Sequence, residues 1–228
     1  SDVMDTADKL MTFKVAVRTV AKRHGLHATF MPKPRSEVNG SGMHINMALY
    51  KDGKNIFEDP QDSLGLSKEA YSFIAGLLEH IKGMTAVFNP LVNSYKRLVP
   101  GFEAPSDVTW SSTQRTALIK VCQGMREEKA IELRSPDPSA NPYLVFALCL
   151  EAGIDGIEQG LEAPAELKRS IRDLSEEEKN NQGIEALPEN LSDALYEMGR
   201  DVWVKEMLGE SFLEHYKKGK RKEWKSYM

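Results

Sequence analysis

Cysteine is scarce in this sequence, and sustained apolar runs are missing. The two cysteines, Cys122 and Cys149, lie in apolar segments without Cys-x-x-Cys spacing. They read as small buried hydrophobes, which sets aside redox and zinc chemistry. No stretch approaches the span of a membrane helix, and residues 1–20 carry Asp2, Asp5 and Asp8 in place of a basic head and apolar block. No signal peptide or membrane span is expected, and the cytoplasm is the expected compartment. Positive charge is not in excess either: 30 Lys and Arg against 34 Asp and Glu leave a net charge of -4, which argues against a general nucleic-acid binder. The local block Lys217-Lys218-Gly219-Lys220-Arg221-Lys222 reads as a solvated helix end whose cations complement the helix dipole. A nucleotide P-loop is also absent, because no Gly-Lys-Ser/Thr opens a helix after the glycine-rich segment. No internal repeat or clear interdomain linker is present. What remains is a globular composition of 228 residues, 41% hydrophobic and 28% charged, enough for a substantial core.

The organisation is mixed. Leu10, Phe13, Val17, Val20 and Ala21 form one helical stripe in the segment 3–23, and Gly25 stops it. His27 to Met31 reads as a strand ending at Pro32 and Pro34, and His44 to Tyr50 as another, closed by an Asp52-Gly53 turn. Ser67 is placed to cap a helix bearing Ile74, Leu77, Leu78 and Ile81, with Gly83 at its end. After an irregular stretch, 89–112, come strand-like runs at Thr116 to Val121 and Lys129 to Arg134; in the second, Ile131 and Leu133 face one side, Glu132 and Arg134 the other. Asn141-Pro142 opens a further apolar helix, Ser175 and Glu178 match a capping box, and an amphipathic segment begins at Leu191.

The residues able to do chemistry cluster in this order. Asn39-Gly40-Ser41-Gly42-Met43-His44 is a glycine-rich bend, read as joining two strands, that delivers an imidazole to a strand start. The pattern fits a plain turn or a site where backbone approaches a ligand closely. Asn93 to Pro105 mixes Tyr95, Lys96, Arg97, Phe102 and Glu103 between prolines, and Arg115 follows. Arg97, Arg115 and Arg134 offer planar forks for carboxylates or phosphates, Glu103 a proton acceptor, and His44 with Glu132 ligands for a divalent ion. Three prolines in Ser135 to Pro142 stiffen the exit from the strand. The inventory suits phosphoryl transfer.

These residues carry a resemblance. Through Lys33-Pro34 with Asn39 to His44, through Asn93 to Pro105, Arg115, and Glu132 to Tyr143, the chain resembles the C-terminal part of the catalytic domain of a bacterial type I glutamine synthetase over most of residues 1–228. That resemblance implies an α+β fold, an antiparallel, partly barrel-like sheet flanked by helices, of the glutamine synthetase/guanido kinase-like class. It implies ATP-dependent ligation of ammonia to glutamate through γ-glutamyl phosphate, with ATP as substrate and Mg2+ or Mn2+ at two sites. By position, His44 and Glu132 match metal ligands, Asn39 and Gly40 the glutamate-binding bend, and Arg97 and Arg134 the arginines that hold glutamate or the transferring phosphoryl group. Glu103 matches the loop acid that closes over glutamate and takes a proton from ammonium. His44, Asn46, Arg115 and Lys120 fall on the ATP side.

Departures cluster there too. Ala48 stands where serine is expected, Arg35 where an apolar residue is usual, and Ala130 and Lys120 where arginines are common; Arg172 replaces a tyrosine that some relatives adenylylate. The family's N-terminal β-grasp domain and the first part of its catalytic domain, with further metal carboxylates, have no counterpart in the chain. The resemblance therefore implies a portion inactive alone, within a parent that forms a dodecamer of two hexameric rings. Rival readings are a γ-glutamyl-amine ligase acting on another amine, and a non-catalytic glutamine-synthetase-like assembly protein.

Overall fold

The computed structural model describes residues 2–123 and 128–228. In chain order its elements are α1 (Val3–Arg23), β1 (Ile45–Met47), β2 (Tyr50–Lys51), β3 (Lys54–Asn55), α2 (Lys68–Phe88), β4 (Trp110–Ser111), β5 (Ile119–Gln123), β6 (Lys129–Leu133), α3 (Pro142–Gln159), α4 (Glu176–Asn181), α5 (Leu191–Arg200), α6 (Val202–Leu208) and α7 (Glu210–Tyr227). The class is α+β. The main sheet has the order β1-β6-β5-β4; β6 is antiparallel to both neighbours, whereas β4 runs parallel to β5. The sheet is thus mixed, where an antiparallel one is expected from sequence, because residues 112–118 return the chain to the start of β5 in the direction of β4.

Period-two alternation sorts the sheet into two faces. Ile45, Leu133 and Ile119 share one register row, and Met47, Ile131 and Val121 another, on the face that packs into the core. Between them, Asn46, Glu132 and Lys120 form a row across three strands on the opposite face. That second face bears the charged side chains.

The core centres on α2, which is buried around nearly its whole circumference between α3, α5, α6 and the sheet. Ser67 caps it, accepting from the Ala70 amide at 3.1 Å. The helix runs five residues past Gly83, which is needed for room: a Cβ there would overlap the Asp201 carboxylate. Asn141 and Pro142 open α3, and Gly160 closes it with φ 64°. The Ser175/Glu178 capping box and the Asp52-Gly53 turn are both formed, the latter with φ 52° and 77° between β2 and β3.

One local expectation fails and two are met in modified form. Residues 27–31 form no strand, so the glycine bend leads into β1 from irregular chain held by the Ser41 amide donating to Pro32 O (2.8 Å) and Met43 to Pro136 O (2.8 Å). The stripe on α1 is covered along one edge only: Leu10, Val17 and Ala21 are half-buried beside the buried Ala7 and Lys14, while Phe13 and Val20 are 55% and 54% exposed. The helix meets α3 along that edge, and Lys14 Nζ reaches Ala140 O at 3.5 Å. The amphipathic segment from Leu191 is formed, divided into three helices because Asp201 caps α6 through Val204 N (3.0 Å) and Gly209 takes φ 78°.

One buried polar group ties these helices together. His80 on α2 lies between Asp155 of α3 (Nε2 to Oδ2 3.1 Å) and Asp201 (Nδ1 to Oδ2 3.5 Å), stacked on Trp203 at 4.2 Å between ring centroids. Burial alone pulls the imidazole pKa down, but the hydrogen bonds and charges of Asp201 and Asp155 outweigh it, and the net direction is up. A raised folded pKa gives stability that is full below the unfolded value of about 6.5 and is lost as pH rises through the folded value. The stability gap between the wild type and His80→Gln should therefore be widest near pH 6 and narrow towards pH 8.5. Thermal melts of both across that range check this; a gap that widens with pH contradicts it.

Candidate active site

The open end of the charged sheet face meets the glycine bend and the loop after α2. Nine residues line a cavity of about 510 Å³ there: Asn39, Gly40, Gly42, His44, Arg97, Phe102, Glu103, Ala104 and Arg134. Every residue assigned from sequence to catalysis or glutamate binding lies on this wall.

Its foundation is the exit from β6. Asn89, at the end of α2, donates to Ser135 O (2.8 Å) and to Asp137 Oδ2 (3.0 Å), and the Asp137 amide donates to Phe88 O (3.2 Å). Arg97 then donates from Nη1 to Ser135 O (2.7 Å) and from Nη2 to Arg134 O (3.0 Å). The guanidinium is buried, which lowers its pKa to about 10, so it stays a cation at neutral pH. Its shape explains the glycines of the bend. Neither Gly40 nor Gly42 has a positive φ. A Cβ at Gly42 would overlap Arg97 Nη2 and sit 3.1 Å from Cζ; one at Gly40 would overlap Pro32 O and lie 3.2 Å from Arg97 Cγ. The bend needs glycine to let a buried arginine lie against its backbone, where the sequence suggests unusual torsions and a close approach to ligand.

His44, the residue before β1, and Glu132 on the neighbouring β6 meet, Nδ1 to Oε1, at 2.9 Å. Burial lowers the His44 pKa; Glu132 pulls it up, Arg134 and Arg97 push it further down, and the net direction is down. The imidazole is thereby kept available as a neutral nitrogen ligand. Arg134 Nε stands 3.9 Å from Glu132 Oε2, while its Nη1 donates to Ala117 O (3.2 Å) and to Arg115 O and its Nη2 to Glu103 O (3.4 Å). Burial lowers the Arg134 pKa against the pull of Glu132 and Glu103.

The residues expected on the ATP side do not share the cavity wall, His44 excepted. Asn46 and Lys120 flank Glu132 on the charged sheet face, and Cys122, half-buried there, points its Sγ to Asn46 Oδ1 at 3.4 Å. Arg115 is exposed, and its link to the site is its carbonyl, which accepts from Arg134. For a divalent ion the fit is incomplete: His44 and Glu132 supply one nitrogen and one carboxylate, and among the described residues no group of three or more His, Cys, Asp or Glu side chains could hold a metal. Magnesium and manganese favour six-coordinate, oxygen-rich shells, so the pair can contribute to such a site without completing one.

Sequence reasoning misses Phe102 and Ala104 as lining residues and leaves Lys33 and Arg172 without a local role. Lys33 Nζ lies 3.4 Å from the centroid of the Phe102 ring, and Arg172 Nη2 donates to Phe102 O at 2.7 Å. The position of Phe102 beside Glu103 is the one available signal.

Comparison with known proteins completes the picture. A family model described as "Glutamine synthetase, catalytic domain" matches residues 1–228. The chain is 54% identical over 226 residues to a glutamine synthetase of Clostridium saccharobutylicum, covering 99% of the chain and 51% of that relative. It is 47% identical over 227 residues to one of Thermus thermophilus, covering 100% of the chain and 51% of the relative. Among solved structures, "GmaS/ADP complex-Conformation 1" superposes with a TM-score of 0.87 at 40% identity, covering 100% of this chain and 52% of that one. The chain spans about half the length of the curated relatives it matches.

Proposed function

The chain belongs to the glutamine synthetase catalytic-domain family, and from that premise we propose that it supplies part of the active site of an ATP-dependent glutamate–ammonia ligase. It acts as the C-terminal portion of a catalytic domain whose β-grasp and first catalytic part complete the site, and is inactive alone. The observation that carries this reading is the convergence of Arg97, Arg134, His44 and Glu103 on one cavity of about 510 Å³, with Glu132 bonded to His44 behind its wall.

In this reading Asn39 and the Gly40 backbone bind glutamate, and the Arg97 and Arg134 guanidinium groups hold its carboxylates and oppose the charge that builds as the γ-phosphoryl moves onto the side-chain carboxylate. Both arginines are pre-oriented by backbone carbonyls, so little reorganisation accompanies the reaction. Glu103, on the loop, receives a proton from ammonium so that ammonia can attack the acyl phosphate, and loop closure keeps water from that intermediate. Divalent Mg2+ or Mn2+, with His44 and Glu132 among its ligands, would neutralise phosphate charge. Asn46, Arg115 and Lys120 serve the nucleotide side. Glutamate, ammonia and ATP are the partners, and a dodecameric, cytoplasmic parent is the setting. No helix among the described residues is long and apolar enough to cross a membrane.

The test is a chimera in which this chain replaces the matching segment of the Clostridium saccharobutylicum relative, assayed for glutamine and phosphate with ATP and a panel of divalent ions. ATP-dependent glutamine formation that is lost in Glu132→Ala is expected. Formation of a γ-glutamyl product only with other amines would redirect the substrate assignment, and ATP binding with no product from any amine would favour the non-catalytic reading.

A further inference from the structure

Lys33 is a buried cation with no hydrogen-bond partner. It is 5% exposed, and its Nζ is enclosed without an acceptor. Its backbone cannot retreat, because Asn93 clamps it on both sides: the Lys33 amide donates to Asn93 Oδ1 (2.8 Å) and Asn93 Nδ2 donates to Lys33 O (3.0 Å). What compensates the ammonium is the face of Phe102, 3.4 Å from Nζ to the ring centroid. Cation–π attraction is strongest when the cation is desolvated in this way.

The same residue is held from another side. Arg172 lies on the 3-10 turn Ile171–Asp173, whose Ile171 is seated in a small separate core with Ala117, Leu167 and Leu174. From that anchored turn its Nη2 donates to Phe102 O at 2.7 Å. Arg134 Nη2 holds the next carbonyl, that of Glu103, at 3.4 Å. Phe102 is thus fixed by its ring and by its carbonyl, through groups from two distant segments, and Phe102, Glu103 and Ala104 all line the cavity.

We propose that Lys33 and Arg172 are positioning residues that together latch residues 101–105 over the cavity and set where the Glu103 carboxylate stands. The latch is a statement about the loop. Its consequence for ammonium deprotonation rests on the ligase reading above. Arg172 also makes the loop answerable to the outer core, since a shift of the 171–173 turn moves the donor on Phe102 O.

Hydrogen–deuterium exchange on the full chain tests the latch without any assay of activity. Arg172→Ala should speed exchange of the amides of residues 101–104 and 106 about fivefold, as expected for loss of one charge-assisted bond at an exposed site, and Arg172→Lys should restore most of the protection. Lys33→Met should speed exchange of the same amides while leaving the melting temperature unchanged or higher, because it removes a buried ammonium that has no hydrogen-bond acceptor. A Lys33 that merely fills space would be replaced by methionine, of similar length and volume, with an unaltered loop. Unchanged exchange in Arg172→Ala and Lys33→Met overturns the proposal. In the chimera, Arg172→Ala should lower kcat/KM for ammonium about tenfold and leave ATP binding intact. An inactive chimera whose loop still responds to both substitutions would overturn the ligase reading and uphold the latch.

Discussion

Arg97→Ala should lower the rate of ATP-dependent glutamine formation in the chimera by about three orders of magnitude, the scale of losing a pre-oriented group aimed at developing charge. The size follows from how the guanidinium is built in. Two of its N–H directions are taken by the carbonyls of Ser135 and Arg134, which fixes the plane of the group, and it lies on the cavity wall. Alanine removes the charge and takes the guanidinium donor from Arg134 O, while Ser135 O keeps that of Asn89, so stability should also fall by about 2 kcal/mol. Arg97→Lys should recover little, because an ammonium cannot serve both carbonyls and present a planar fork to a ligand. Gly42→Ala supplies an independent check: its Cβ would occupy the place of Arg97 Nη2, displacing the guanidinium without deleting it, and a loss of about tenfold is expected. Steady-state kinetics alongside thermal melts separate rate from folding. An Arg97→Ala enzyme within about threefold of wild type would remove Arg97 from the machinery.

Gly76→Ala and Gly156→Ala should each destabilise the chain by about 3 kcal/mol, although alanine is worth about 1 kcal/mol more than glycine in an unconstrained helix. Both glycines lie where α2 crosses α3. A Cβ on Gly76 would overlap Ala152 O and sit 2.8 Å from Gly156 Cα, and one on Gly156 would overlap Ser72 O and sit 2.8 Å from Gly76 Cα. The obstacles are backbone atoms, so no side chain can rotate aside, and the helices must separate along the length of the core's principal contact. Gly219→Ala is the internal control: a Cβ there meets nothing within 4 Å on exposed α7, and a gain of up to about 1 kcal/mol is expected. Urea unfolding of the three variants checks both signs.

The parts of this fold that could be read from sequence are those decided by neighbours in the chain. Ser67, Asn141 with Pro142, and the Ser175/Glu178 pair cap helices through bonds spanning two or three residues, and the alternation of Ile131, Glu132, Leu133 and Arg134 follows from the pleat. The failures were decided elsewhere. The stripe on α1 is a genuine helical period, but its neighbours cover only one edge of it and leave Phe13 and Val20 exposed; 27–31 has strand-like composition and no strand partner; and β4 pairs in parallel with β5. At the site, the chemical residue types pointed to the right wall. Hidden from sequence were the service roles: that Gly42 makes room for Arg97, and that Lys33 and Arg172 converge on Phe102.

The site's contacts also dictate an order of assembly. Arg97 reaches across 38 residues to Ser135, Lys33 across 60 to Asn93, and His44 across 88 to Glu132. Closing such loops costs chain entropy that no local bond repays, so β1 cannot acquire its charged partner until β6 has been made. During synthesis the bend 39–44 therefore emerges from the ribosome long before the strand that completes it. Until then the first half of the wall has no partner to hold it in place.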